Sequence, residues 1–183
     1  VGGVETLFGN ASDKVLQNAN RAFQTAGLSA NEYMETVTSF SASLLQSVGK
    51  DTKKAAEYAD QALVDMSDNA NKMGSDMASI QNAYSGFAKQ NYTMLDNLKL
   101  GYGGTQAEMA RLINDSGVLG DSIKVDEKTV NSVSFDKMIE AIHKVQTDLD
   151  ITGTTSKEAA TTVSGSLGSV KAAWANLMAG MGD

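Results

Sequence analysis

The sequence predicts an all-α fold, and three observations carry that prediction. Proline is absent from all 183 residues, so the strongest helix breaker interrupts nothing. Three capping boxes mark helix starts, pairing Ser29 with Glu32, Thr105 with Glu108 and Thr155 with Glu158. Apolar residues recur every three or four positions through the middle of the chain. Strand-like alternation is confined to SIKVDEKTVNSVSF, Ser122 to Phe135, which reads as a loop with one short ribbon as the alternative.

About seven helices follow, near 11–26, 30–48, 52–73, 76–90, 106–115, 136–149 and 156–179. They would form a helical bundle or an array of helix hairpins. Ser29 caps the second. Asp51 and Ser75 are N-cap candidates for the third and fourth, each shortly after a glycine that can end the preceding helix. Thr105 opens the fifth, and Ser134 or Asp136 the sixth.

The third and fourth helices share one seam of Ala59, Ala62, Met66, Ala70, Met73, Met77, Ile80, Tyr84 and Phe87. Its spacings of three and four average near the coiled-coil repeat. The phase runs through Gly74, so two arrangements fit. One is a helix hairpin that buries this face. The other is a single long kinked helix around 52–90, roughly 58 Å long. The last helix places Ala160, Ser164, Leu167, Lys171, Trp174 and Leu177 near one face, with Gly165 and Gly168 allowing a close backbone approach.

The stretch QNYTMLDNLKLGYGG, Gln90 to Gly104, is apolar yet irregular. Tyr92, Met94, Leu95, Leu98, Leu100 and Tyr102 either pack back on the helices or form an exposed patch for a partner. Packing inward would require satisfied backbone amides, for which Asn91, Asp96 and Asn97 are local partners.

Composition narrows the function. Hydrophobic residues make up 42% of the chain, but much of this is alanine, and aromatics are only 6%. Such a core is thin and built from close helix contacts. The net charge of −7 argues against duplex nucleic acid and against an electrostatic dock on anionic lipid. Cysteine is absent, which removes disulfides and thiolate metal sites. No run approaches the roughly 18 to 20 apolar residues of a membrane span. The chain opens on Val1 and reads as a fragment of a longer protein whose remainder could carry a span. One domain over 1–183 is expected, with a subdivision at 1–104 and 105–183 as the alternative. Self-association is open to it.

Catalytic chemistry has little to work with. Gly101-Tyr102-Gly103-Gly104-Thr105 precedes a helix, as phosphate loops do, but its third glycine position falls on Gln106 and no Lys follows. Its glycines read as tight turns. His143 is the single histidine, and a zinc site would need further His or Cys ligands. No GxSxG turn is present. No catalytic, metal or cofactor residue is assigned, and an enzyme is not expected.

The segment Met66-Ser67-Asp68-Asn69-Ala70-Asn71-Lys72-Met73-Gly74 is distinctive, as are Ile80-Gln81-Asn82-Ala83-Tyr84 and the run from Gly86 to Thr105. Together with Thr162 to Leu167 and Lys171-Ala172-Ala173-Trp174, they resemble the tape measure proteins of long-tailed phages and Gram-positive prophages. The resemblance spans about residues 30–178. It implies a helical structural protein that scaffolds the tail tube, sets tail length and takes part in DNA ejection. The implied partners are the tail tube protein, tail assembly chaperones and tail tip proteins. The implied location is the tail lumen, after assembly in the bacterial cytoplasm. A different class fits composition alone, namely a helical protein–protein interaction module of a secreted or membrane-associated bacterial protein.

Overall fold

The computed structural model describes residues 29–153, and the helices expected at 11–26 and 156–179 lie outside them. Within the described residues are α1 (Ala30–Ser47), α2 (Thr52–Met73), α3 (Met77–Ala88), α4 (Gln106–Ser116) and α5 (Phe135–Asp148). Short 3-10 turns occupy Leu95–Leu98 and Val130–Ser132, and the described residues contain no strand. The 122–135 stretch is therefore a loop with a single 3-10 turn. No described helix is long and apolar enough to cross a membrane.

Local chemistry sets the helix starts. Ser29 accepts from the Glu32 amide at 3.2 Å, Asp51 from Lys54 at 3.1 Å and Thr105 from Glu108 at 3.1 Å. The cap of α3 is Asp76 rather than Ser75, its carboxylate accepting from the Ser79 amide at 3.2 Å. Ser75 stays outside the helix, and its hydroxyl is buried without a hydrogen-bond partner among the described residues. Ser134 stands at the N-cap of α5 without a side-chain cap bond.

The long kinked helix over 52–90 does not form. Gly74 ends α2 in the left-handed region at φ 70°, which glycine adopts without a Cβ penalty. Three residues on, α3 begins and returns along α2, since the Tyr84 hydroxyl lies in the field of Asp65. Two collinear helices would hold those residues roughly 28 Å apart. The seam accordingly splits into two faces. Ala59, Ala62, Met66, Ile80, Tyr84 and Phe87 are buried, while Ala70, Met73 and Met77 near the reversal are only partly so.

All five helices feed one core. Phe40 of α1 meets Phe135 of α5 edge-on at 6.0 Å. Tyr33 donates to Asp60 across α1 and α2, and Tyr58 of α2 donates to Glu140 of α5. Met109, Leu112 and Ile113 of α4 join Ile139 and Ile142 of α5 in the same cluster. Helices before and after residue 104 thus share a hydrophobic interior. Burial of each large side chain there contributes about 1.5 to 3 kcal/mol.

Candidate functional site

The connector between α3 and α4 carries the irregular apolar run, and it folds into a packed loop. Tyr92, Leu95, Leu98 and Leu100 are buried, and Tyr102 is partly buried. Met94 alone of the six points substantially outward, at 41% exposure. Phe87 of α3 stacks obliquely against Tyr92 with ring centroids 6.3 Å apart, extending the helix face into the loop. The Tyr92 hydroxyl donates to Asn131 at 3.0 Å, and burial pushes it up to about 12.

Two glycines permit this closure through space rather than through turn geometry. A Cβ on Gly104 would sit 2.2 Å from the Thr93 carbonyl oxygen, and one on Gly86 would sit 2.8 Å from that of Asn91. The run of glycines read as tight turns therefore divides. Gly101 takes positive φ, at 92°, whereas Gly104 is a close-approach residue. Of the three expected local partners, Asn91 accepts from the Thr93 amide and hydroxyl at 3.1 and 2.8 Å. Asn97 reaches the Ser79 carbonyl at 3.5 Å, and Asp96 contributes its backbone carbonyl, to the Lys99 amide.

The far end of the loop is clamped by α4. Arg111 lies over the Tyr102 ring at 4.2 Å and donates to the Gly101 carbonyl at 2.8 Å. Glu108 accepts from the Gly103 amide at 3.1 Å and from Arg111 Nε at 2.6 Å. The capping box is thus half diverted, since Glu108 serves the loop rather than the N–H of its own cap residue. The hydrogen bond from Arg111 holds the Glu108 carboxyl down to about 2. Tyr102 donates to Asp115 at 2.6 Å, and burial followed by that bond pushes its hydroxyl up to about 12. Sequence reading missed Arg111, although Glu108, Arg111 and Asp115 stand one helical turn apart on one face.

Beneath the connector lies the second half of α2. Asp65, Met66, Ser67, Asp68 and Asn69 are all buried, so this turn is surrounded on every side. Asn69 Nδ2 donates to the Leu98 carbonyl at 2.8 Å and to Gln146 Oε1 at 2.9 Å. Gln146 returns a bond to the Asp65 carbonyl at 3.0 Å. Asp65 accepts from His143 Nδ1 at 2.9 Å, and Asp68 from the Gly153 amide at 2.9 Å. One polar turn therefore ties α2 to the connector, to α5 and to the chain leaving α5. His143 faces this carboxylate of α2, and its helix neighbour Glu140 bonds elsewhere, to Tyr58 and Lys137.

Chemically this is a structural network. Among the described residues no group of three or more His, Asp or Glu side chains is placed to hold a metal ion. A groove of about 380 Å³ between α1 and α3 has Glu32, Glu35, Thr36, Ser39, Met77 and Gln81 on its walls. A second, of about 300 Å³, is lined by neutral groups including Ser43, Gln46, Asn131 and Ser134 over Phe135 and Met138. His143 belongs to neither. The architecture is that of an all-α domain with a buried polar centre. No protein-family model, curated protein or solved structure matches the chain.

Proposed function

We propose that this chain is a domain of a tape measure protein in the tail of a long-tailed phage or prophage. Its role is structural rather than catalytic. It works with the tail tube protein, the assembly chaperones and the tail tip proteins, in the cytoplasm during assembly and in the tail lumen afterwards. The observation that carries this reading is where the resembling sequence falls. Met66 to Gly74, Ile80 to Tyr84 and Gly86 to Thr105 correspond to the polar turn of α2, the buried face of α3 and the closed connector. A sequence block that serves assembly would be expected to build one body, and these three pieces touch through Asn69–Leu98 and Tyr84–Phe87.

With its apolar residues turned inward, the connector offers partners mainly polar surface and Met94. Binding then falls to neighbouring helix faces. The test is an in-frame deletion of residues 29–153 from the parent gene, with tails imaged by electron microscopy and phage titred. A segment drawn out as a helical ruler would shorten tails by roughly 190 Å. A segment acting as a folded body would leave length nearly unchanged while tails fail to complete or to deliver DNA. Either result supports a tail role. Normal tails with full infectivity, or purified tails lacking the chain, would sink it and favour a binding module outside the virion.

A further inference from the structure

Asp65 is fully buried on α2, and its two oxygens stand 2.9 and 3.1 Å from Nδ1 of His143 on α5. The His143 side chain is 35% exposed, so it exchanges protons with solvent while the carboxylate stays dry. The groups around the pair come from three helices. From α2 there is a second buried carboxylate, Asp68, and from α3 the fully buried hydroxyl of Tyr84, which has no hydrogen-bond partner among the described residues. From α5 there is the neutral Gln146 amide. No Lys or Arg side chain pairs with Asp65 among the described residues, which leaves His143 as the cation that can compensate it there. One turn along α2, Asp68 holds the Gly153 amide, and Ile151 beside it is buried.

We infer that Asp65 and His143 form a proton-operated latch, in which protonated His143 fastens α5 and the chain exit at 151–153 to α2. Deprotonation leaves a dry carboxylate facing a neutral ring and a second acid, and α5 loosens. The inference is independent of the tail reading, because it rests on a buried charge and the one cationic partner it has among the described residues. The direction of the effect follows from both groups. The hydrogen bond to Asp65 raises His143 above its ordinary 6.5. Its contribution to stability is complete below that value and is lost as pH climbs through the raised one. Burial lifts Asp65 from 3.8 to about 6 against the opposing pull of His143. Ionising it between those values costs the fold, so both groups make stability fall as pH rises.

The single histidine allows a direct test in the 183-residue chain. Proton NMR would follow the His143 ring, and amide hydrogen exchange would compare α5 with α1 at pH 6 and pH 8. The expected result is a midpoint above 6.5, with protection in α5 falling about threefold to tenfold relative to α1. Asp65→Asn should return His143 to its ordinary range and abolish the difference. A wild-type midpoint at or below 6.5, or an α5-to-α1 ratio that does not change with pH, overturns the latch. Should Asp65→Asn fail to fold, those two wild-type readings decide the matter.

Discussion

The two halves of α2 hold their neighbours by opposite means. From Ala55 to Ala62 the buried positions are alanines, Ala55, Ala56, Ala59 and Ala62, each with no exposed surface. Small side chains let helices approach closely but bury little area apiece, so many similar packings have similar energies. From Asp65 to Asn69 the helix is buried all round, and three of the five residues carry a carboxylate or an amide. The Asp65 and Asp68 carboxylates and the Asn69 Nδ2 group have particular partners at particular angles, and a slipped packing would strand them unpaired. The alanine half supplies proximity, whereas the polar half selects one arrangement.

Substitutions on either side of Leu63 sharpen that contrast. Asn69→Leu keeps the volume but leaves the Leu98 carbonyl and Gln146 Oε1 without their donor. At about 1 to 3 kcal/mol per buried orphan, a loss of roughly 3 kcal/mol is expected, seen as a Tm lower by about 10 °C. Loss of less than about 1 kcal/mol would show that the polar turn is incidental. Ala59→Leu adds volume where the helices touch and should cost about 2 kcal/mol in denaturant unfolding. If it is tolerated without loss, the alanine contacts are looser than their burial implies. The smallest effect is expected at Tyr84→Phe. That hydroxyl is fully buried and unpartnered among the described residues, so removing it should change stability by no more than about 0.5 kcal/mol in either direction. A loss near 2 kcal/mol would reveal a hydrogen bond to the Asp65 carboxylate.

The connector extends the lesson. Its apolar residues were conspicuous in the sequence, yet the choice between burial and exposure did not lie in them. It lay in Gly104, whose missing Cβ lets the loop close on Thr93, and in Arg111, which clamps Tyr102 from ten residues downstream of Gly101. A glycine needed for a close approach looks, in sequence, the same as one needed for a turn.

What the sequence by itself determined is the set of local decisions. Helix spans and the caps at Ser29, Asp51 and Thr105 depend on bonds and dihedrals within a few residues, so composition and spacing expose them. Tertiary structure decided whether α3 continued α2 or turned back along it. It also decided which buried polar groups met. Asp65 finds His143 78 residues away, Asn69 finds Gln146 77 away, and Asp68 finds Gly153 85 away. No periodicity in sequence encodes such pairings. They arise because a buried charge or amide must find a partner somewhere, and only the assembled core fixes where that partner stands.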